Sequence, residues 1–218
     1  MTNTILRREI KFIVNSMETH LLKRWFSKKK IFKNYPKRKV NSIYYDRLKF
    51  HDLQSNLTGL ANREKNRLRW YNEEQQIYFE KKIKQNFLSK KYTIKLDTKR
   101  EILDYSLFFS FNNSDLDKFK SILNEKSFLL KPVILISYQR DYLKYGQFIN
   151  VTLDTNINFT DYETKMKYKN NNRAILEIKY DMKYENNVNQ LIKDLPIVQS
   201  RSSKYLLGMA SIGKVNYI

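Results

Sequence analysis

The amino-acid sequence predicts an α+β fold, in which an antiparallel sheet curves into a barrel and α-helices lie outside it. Three predicted strands carry a Glu and a Lys two residues apart, at Glu9 and Lys11, Glu80 and Lys82, and Glu177 and Lys179. Another predicted strand alternates two arginines with two apolar residues, in the order Arg67, Leu68, Arg69 and Trp70. Side chains two residues apart on a strand point to the same face. Charge on one face and apolar residues on the other fit a barrel around an anionic ligand better than the core of a sandwich.

Alternation of side chains and helical spacing define the elements of the first part of the chain. They are a strand at 5–14, a helix at 16–27, a strand at 40–46 and a short helix at 51–57. Ser16 is the predicted N-cap of the first helix, because its hydroxyl can accept a hydrogen bond from a backbone N–H. Gly59 closes the second helix, since glycine favours the left-handed conformation found after helices. The basic stretch 28–39 is predicted to be a loop.

A hairpin dominates the middle of the chain. Segments 63–71 and 77–84 both alternate charged and apolar residues, and the polar stretch NEEQQ connects them. A connection this short makes the two strands antiparallel neighbours. The remaining predicted elements are strands at 91–98, 132–142, 147–154 and 173–180 and helices at 114–126, 184–194 and 202–210.

Length and composition indicate one folded domain over 1–218, and we expect it in the cytoplasm. A chain of 218 residues can bury one sizeable core, and 41% hydrophobic residues exclude a disordered chain. The 4 glycines form no Gly-rich phosphate loop. Since there is no cysteine, disulfides, thiolate metal sites and cysteine nucleophiles are excluded. The N-terminal residues contain no apolar signal region, and no apolar stretch is long enough to span a bilayer.

The net charge indicates an anionic partner. Lys and Arg number 42 against 22 acidic residues, which gives +20 and favours a phosphorylated small molecule, nucleic acid or an anionic membrane. The alternative is a solvated basic surface of the kind that AT-rich genes encode. Tyr residues interleaved with cations could stack on single-stranded nucleic acid. We do not expect nucleic acid as a partner, because Tyr44, Tyr45 and Trp70 alternate like core residues.

Cations that strands hold rigidly make an economical receptor for a phosphate chain. By strand position alone, the candidates are Lys11, Arg67, Arg69, Lys82, Arg140 and Lys179. The alternative is an outward, solvated face with ordinary cross-strand Glu–Lys pairs. Carboxylates among these cations could orient them or bind a divalent metal together with phosphate oxygens. Glu177 is the first metal candidate, Glu80 the second and Glu9 the third.

Eight stretches of the chain, taken in order, resemble one known family. They are REIKF near the start, SIYYD at 42–46, LTGLANREKNRLRWY at 57–71, YFEKK at 78–82, KPVILISYQR at 131–140, VTLDT at 151–155, ILEIKY at 175–180 and SKYLLG at 203–208. Their order resembles the VTC domain, the catalytic domain of polyphosphate polymerases in the triphosphate tunnel metalloenzyme superfamily. The resemblance covers nearly the whole chain.

The resemblance implies an eight-stranded antiparallel tunnel lined by basic residues, with helices outside it. It implies transfer of the γ-phosphate of ATP to a growing inorganic polyphosphate, with release of ADP and with Mn²⁺ or Mg²⁺ as cofactor. By position, the phosphate-binding cations that it implies are Lys11, Arg67, Arg69, Lys82, Arg140 and Lys204. Tyr138 and Ser203 match polar phosphate contacts, and Lys95 is a looser match. Glu177 matches the metal ligand.

Two departures from the family pattern leave alternatives open. Eukaryotic members carry a phosphate-sensing domain and membrane spans that this sequence does not show, so a membrane partner would be a separate protein. The related CYTH-type triphosphatases carry E-x-E-x-K near the N-terminus, whereas Arg7 takes the place of the first Glu here. We therefore expect a polymerase rather than a triphosphatase, with Arg67, Arg69, Lys82 and Arg140 as its catalytic candidates. A polyphosphate- or RNA-binding module without catalysis is the third alternative, and the oligomeric state is left open.

Overall fold

The structure is a computed structural model of the chain. It describes residues 7–86, 88–97, 114, 115, 117, 130–170, 173–200 and 203–216. The helix predicted at 114–126 therefore lies mostly outside the described residues. Within them, no helix has both the length and the apolar composition needed to cross a membrane.

Nine strands and four α-helices make up the described part of the chain. The strands are β1 (Arg7–Asn15), β2 (Phe32–Asp46), β3 (Asn62–Tyr71), β4 (Tyr78–Gln85), β5 (Leu88–Lys95), β6 (Lys131–Tyr145), β7 (Ile149–Asp161), β8 (Lys167–Lys169) and β9 (Arg173–Asp181). The helices are α1 (Ser16–Lys28), α2 (His51–Leu57), α3 (Glu185–Ile192) and α4 (Lys204–Ser211). Short 3-10 helices precede α2 and α3, at Leu48–Phe50 and Met182–Tyr184.

The strands form one sheet in the order β1-β9-β7-β6-β2-β3-β4-β5, and β8 pairs with β7. The pairs β1–β9, β7–β9, β2–β3, β3–β4 and β4–β5 are antiparallel. The predicted α+β class with an antiparallel sheet is confirmed. Eight strands lie on the main path, as predicted, and β8 is an addition to it. Among the described strands, the path has β1 at one end and β5 at the other.

The described residues group into two compact units. The first takes its residues from Met1–Lys39, Tyr138–Ile157 and Lys169–Ser203, and the second takes them from Val40–Ser137, Asn158–Tyr168 and Lys204–Ile218. Strands β2, β6, β7 and β8 contribute residues to both units. The prediction of one domain over 1–218 stays a prediction.

In the first unit, an apolar sheet face packs against two helices. Strands β1, β7 and β9 contribute the buried residues Ile10, Phe12, Val14, Val151, Leu153, Leu176 and Ile178. Helix α1 adds Leu22 and Trp25, and α3 adds Val188 and Leu191. Since these apolar residues alternate with charged ones along the strands, packing this face directs the charged side chains to the opposite face.

Asn15, and not the predicted Ser16, is the N-cap of α1. Its backbone is extended, and its side-chain Oδ1 accepts a hydrogen bond of 2.9 Å from the backbone N–H of Glu18. The Glu18 carboxylate in turn accepts one of 2.7 Å from the backbone N–H of Asn15. This reciprocal capping box satisfies two helix-end donors at once, whereas Ser16 already belongs to the first turn.

In the second unit, β3, β4 and β5 form an antiparallel meander with an apolar core on one face. The buried residues of that core are Ile43, Tyr45, Leu68, Trp70, Ile77, Phe79, Leu96 and Leu130. The carboxylate of Asp46, at the end of β2, accepts hydrogen bonds of 2.8 Å from the backbone N–H groups of Asp52 and Leu53. Asp46 therefore caps α2, and Gly59 follows that helix with φ of +71°, as the sequence predicts.

The prediction of a loop over 28–39 is wrong, because β2 begins at Phe32. Residues 32–39 of this strand are exposed or half-buried on both faces. A strand that buries neither face shows no alternation of apolar and polar residues, and such alternation is what identifies a strand in a sequence. We call Phe32–Lys39 the β2 ribbon.

Candidate functional site

A charged sheet face in the second unit follows from the strand register. Arg67 on β3 lies opposite Tyr44 on β2 and Glu80 on β4, and Glu80 lies opposite Thr93 on β5. Directly paired residues point to the same face. The intervening residues of β3 and β4, such as Leu68 and Phe79, lie in the core on the opposite face. The same register adds Ser42, Lys65, Arg69, Lys82, Lys91 and Lys95 to the charged face.

Glu80 is the centre of this face, and we call it with its three cations the Glu80 cluster. The residue is only 4% exposed. Arg67 approaches Glu80 Oε2 with Nε at 2.7 Å and Nη2 at 2.6 Å, and Arg69 Nη1 lies 3.5 Å from the same oxygen. Lys91 Nζ lies 2.6 Å from Glu80 Oε1. Three cations thus share one carboxylate, so the cluster has a net positive charge and can attract an anion.

The ionisation of Glu80 is stabilised strongly. Burial alone would raise the pKa of its carboxyl group, but the charges of Arg67, Arg69 and Lys91 outweigh burial and hold the pKa well below its usual range. The carboxylate therefore keeps its charge across the physiological pH range and holds the arginine side chains in place.

Two hydroxyl groups orient the same arginines. Arg67 Nη1 donates a hydrogen bond of 2.8 Å to the Tyr44 hydroxyl, and Arg69 Nε donates one of 3.1 Å to Ser42 Oγ. Burial raises the pKa of Tyr44, but Arg67 and Arg69, with a smaller contribution from Lys204, lower it more, so the net shift is downward. These contacts hold the guanidinium groups in fixed orientations, as a site for phosphate oxygens requires.

The other predicted cations of this unit occupy different positions. Lys82 and Lys95 are exposed and share the face of Glu80 by register. Lys204 begins α4 and is half-buried. Lys81, beside Lys82 in the sequence, points to the opposite face and is buried, with Nζ at 3.3 Å from Glu64 Oε2. The structure thus separates the two adjacent lysines into a surface cation and a buried ion pair.

Lys91 is a member of the Glu80 cluster that sequence reasoning missed. The alternation of Lys91, Thr93 and Lys95 was a usable signal, because residues with this spacing on β5 share a face. Only the register of β5 against β4 shows that this face is that of Glu80.

The first unit contains a second cluster of charges, which we call the Glu177 cluster. Lys11 on β1 pairs in register with Glu177 on β9, which pairs with Thr152 on β7. Glu177 is 5% exposed. Its Oε1 lies 3.5 Å from Lys11 Nζ, and its Oε2 lies 3.2 Å from Lys179 Nζ. Arg140 Nη2 lies 3.6 Å from Oε2 as well. Three predicted cations therefore meet at the carboxylate of the predicted metal ligand.

Two further carboxylates complete the Glu177 cluster. Glu9 Oε1 lies 2.7 Å from Lys11 Nζ. Asp154, which is fully buried, accepts hydrogen bonds of 2.6 and 2.7 Å from Arg140 Nε and Nη2. The Arg140 guanidinium also lies 5.3 Å from the centre of the Tyr138 ring. Burial lowers the pKa of Arg140, but Tyr138, Asp154 and Glu177 raise it more, so the net shift is upward.

Asp154 is the second residue that sequence reasoning missed. It ends the predicted strand at 147–154, but a lone Asp on a strand gives no sign of its partner. Ser203, which the resemblance brought in, precedes α4 and is half-buried.

The two clusters differ in their suitability for a divalent metal. Among the described residues, no three His, Asp or Glu side chains are arranged to hold a metal ion. Each oxygen of Glu80 lies within 2.7 Å of a cationic nitrogen, which would repel a metal. Both oxygens of Glu177 have cations at longer distances, of 3.2 Å or more, and Glu9 and Asp154 balance those cations. Glu177 therefore fits a metal only as one ligand beside oxygens from a substrate or water.

The model of the VTC domain family matches residues 6–212 of this sequence. The chain belongs to the VTC domain family. This match confirms the resemblance inferred from the eight stretches. A search of curated proteins found no match.

The VTC domain described here has the same fold as several solved structures. One is a protein from Pyrococcus horikoshii, with a TM-score of 0.54, 10% sequence identity and coverage of 92% of this chain and 97% of that chain. Another is a candidate adenylyl cyclase from Hippeastrum, described as having a dominant triphosphatase activity, with a TM-score of 0.55, 13% identity and coverage of 95% and 96%. A third is a candidate adenylate cyclase from Vibrio parahaemolyticus, with a TM-score of 0.53, 12% identity and coverage of 92% and 97%. At such identities the likeness shows the fold alone.

Proposed function

We propose that this VTC domain is a polyphosphate polymerase, which transfers the γ-phosphate of ATP to inorganic polyphosphate and releases ADP. The observation that carries the proposal is the Glu80 cluster, in which a buried carboxylate holds Arg67, Arg69 and Lys91 on one sheet face. Membership of the VTC domain family supports the proposal, because the resemblance to this family implies the polymerase reaction.

Catalysis in this proposal is mainly positioning and charge stabilisation. Phosphoryl transfer needs no covalent enzyme nucleophile, and cations that contact the phosphate oxygens lower the barrier. Arg67, Arg69 and Lys82 bind triphosphate oxygens, and Lys95 and Lys204 add contacts to the same chain. Arg140 and Lys11 offset the charge that develops on the transferred group, while Lys179, Tyr138 and Ser203 supply further phosphate contacts.

Mn²⁺ or Mg²⁺ is the proposed cofactor, with Glu177 as the protein ligand. Charge balance favours this placement: three carboxylates face three cations in the Glu177 cluster, so that group attracts phosphate only weakly without an added cation. The Glu80 cluster has a surplus of cations and binds phosphate without a metal. In this proposal Glu80 therefore orients the arginine side chains and does not bind the metal, although the sequence makes it the second metal candidate.

The experiment that tests the proposal is incubation of the purified protein with ATP and Mn²⁺. A gel separates polyphosphate by length, while ADP and free phosphate are assayed in the same samples. We expect a polyphosphate ladder together with ADP, and Arg69→Ala should lower turnover on the order of 10²-fold or more. Arg24→Ala, which removes an exposed arginine from α1, is the matched control and should keep wild-type turnover. Full turnover by folded Arg69→Ala would contradict the assigned role of Arg69.

Triphosphate hydrolysis is the second candidate function. The fold shared with the Hippeastrum protein favours it, because that protein is described with a dominant triphosphatase activity. The two reactions differ in the acceptor, which is water in one and a phosphate chain in the other. Free phosphate without a ladder would identify a triphosphatase. Tight polyphosphate binding without any turnover would identify a binding module.

A further inference from the structure

The β2 ribbon combines exposed aromatic rings with cations on a strand that buries neither face. Phe32 is 56% exposed and Tyr35 is 49% exposed. Lys33, Lys37 and Lys39 are exposed as well. Soluble proteins normally bury large rings on a strand, since burial of an aromatic side chain is favourable. Exposed rings among lysines are therefore a feature to be explained.

Contacts with Tyr142 on β6 hold part of the β2 ribbon in place. The Arg38 guanidinium lies 4.7 Å from the centre of the Tyr35 ring and 5.1 Å from that of Tyr142 on β6. Arg38 Nη2 also donates a hydrogen bond of 3.3 Å to the Tyr142 hydroxyl. Tyr35 and Tyr142 meet edge to face, with ring centres 5.7 Å apart. These contacts hold one side of the Tyr35 ring and leave about half of the residue in solvent.

Lysines precede and follow the exposed Tyr35 ring along the ribbon. Lys33, Lys37 and Lys39 all lie within four residues of Tyr35 on one extended strand, in which each residue advances about 3.3 Å. Lys37 Nζ lies 3.0 Å from Asp141 Oδ2, and the Lys37 side chain is still half-exposed. The ribbon thus combines cations that attract a phosphate backbone with exposed rings on which a planar base can stack.

We propose that the β2 ribbon is a binding surface for single-stranded nucleic acid. Charge complementarity attracts the phosphate backbone, and the exposed rings of Phe32 and Tyr35 stack on bases. Stacking on an aromatic ring together with a basic track is how single strands bind without sequence preference. Inorganic polyphosphate has no base, so the exposed rings contribute nothing to binding it. Binding through the aromatic rings therefore distinguishes nucleic acid from inorganic polyphosphate, the substrate of the proposed polymerase reaction.

This inference departs from the expectation drawn from the sequence. Nucleic acid was set aside there because Tyr44, Tyr45 and Trp70 alternate like core residues, and all three are indeed buried. The rings of the β2 ribbon are a different set. They lie in the stretch that is predicted to be a loop, because apolar and polar residues do not alternate there as they do on a half-buried strand.

The test measures the binding of a fluorescently labelled oligothymidylate of twenty nucleotides by anisotropy. The affinity of the same protein for unlabelled inorganic polyphosphate is measured as well. The double variant Phe32→Leu and Tyr35→Leu removes both rings and keeps the charge and most of the apolar bulk. We expect it to bind the oligonucleotide roughly tenfold or more weakly, since stacking is strong for each base. Polyphosphate affinity and ATP turnover should not change, because neither residue belongs to the proposed catalytic groups.

Two controls keep the result interpretable. Phe148→Leu removes another exposed ring, outside the ribbon, and should leave oligonucleotide binding unchanged. Lys33→Gln with Lys39→Gln should reduce the slope of log affinity against log salt by about 1.4, because each phosphate that a lysine neutralises on a single strand contributes about 0.7 to that slope. Thermal unfolding of every variant checks that the fold is kept.

The proposal is overturned by any of three outcomes. The wild-type protein could fail to bind the oligonucleotide at moderate salt, or the double variant could bind it as tightly as the wild type does. An equal loss of oligonucleotide and polyphosphate affinity would mean that the ribbon attracts any polyanion. Since turnover is measured separately, failure of the polymerase assay leaves the ribbon test intact.

Discussion

Arg140 and Asp154 form a buried, two-pronged ion pair. Both hydrogen bonds, of 2.6 and 2.7 Å, join the guanidinium fork to the two oxygens of one carboxylate. Asp154 is completely buried, so water cannot replace Arg140 as its partner. Asp154 therefore holds the Arg140 guanidinium in one orientation. In that orientation Arg140 Nη2 lies 3.6 Å from Glu177 Oε2.

Replacement of this carboxylate should be costly. Asp154→Asn removes the charge that compensates Arg140 in a buried position, and we expect a loss of about 3–5 kcal/mol in the free energy of unfolding. Urea denaturation at neutral pH measures it. Asp141→Asn is the control, because its partner Lys37 is half-exposed and such pairs contribute about 0–1 kcal/mol. Similar losses in the two variants would contradict the importance assigned to burial.

The lowered pKa of Glu80 predicts an acid-dependent contribution to stability. In the unfolded chain a Glu carboxyl titrates near 4.5, and in the folded protein Glu80 titrates well below that value. The stabilisation is therefore present above pH 4.5 and is lost as the pH falls through the folded-state pKa. Glu80→Gln should be less stable than the wild type at pH 7, and the difference should shrink as the pH falls below 4.5.

Urea denaturation between pH 7 and pH 3 provides the measurement for Glu80. Glu74→Gln, in the exposed connection between β3 and β4, should track the wild type at every pH. A stability difference between Glu80→Gln and wild type that does not depend on pH would rule out the stated cause.

Gly208 in α4 is predicted to tolerate no side chain. A Cβ atom there would lie 2.7 Å from Ile134 Cδ1 and 2.8 Å from Phe159 Cδ1, and both neighbours are fully buried. Gly208→Ala should therefore lower stability by about 1–3 kcal/mol through overpacking, despite the higher helix propensity of alanine. Adding Ile134→Val removes the clashing Cδ1 atom and should restore part of the loss. Thermal unfolding of the single and double variants shows whether the rescue occurs.

Tyr205 links α4 to the support of the Glu80 cluster. Its hydroxyl donates a hydrogen bond of 2.5 Å to Asp46 Oδ2, and its ring stacks on Tyr44 with centres 5.1 Å apart. Tyr205→Phe keeps the stack and removes one donor from a buried carboxylate, so we expect a loss of about 1–3 kcal/mol. Tyr205→Leu also removes the stack and should be less stable than Tyr205→Phe in thermal unfolding. Equal stability of the two variants would show that the stacked ring contributes nothing.

Side-chain alternation explains how much of the site the sequence could predict. Arg67 and Arg69 share one face of β3, and Glu80 and Lys82 share one face of β4, because residues two apart on a strand point the same way. Glu177 and Lys179 follow the same rule on β9, and the register of the paired strands places Lys11 opposite Glu177 and Arg67 opposite Glu80. The ion-pair partners of site residues could not be predicted from alternation. The pairing of Arg140 with Asp154 and of Lys91 with Glu80 depends on the register between strands.

Prediction from local sequence also failed where two adjacent residues could both be the N-cap of a helix. Asn15 and Ser16 are both good N-cap residues, and only the backbone conformation decides between them. The β2 ribbon was missed because a strand with two solvated faces has the composition of a loop. Its assignment depends on pairing with other strands, which composition does not report.

The alternation along β3 restricts how this protein can vary in length. Insertion or deletion of a residue in the middle of β3 would move Leu68 and Trp70 to the charged face and carry Arg67 or Arg69 into the apolar core. The first part of the connection between β3 and β4, residues 72–75, has no such constraint, because its residues are exposed. Changes of length that preserve folding should therefore accumulate between strands, and a protein that has kept the core of this meander has also kept its cations in place.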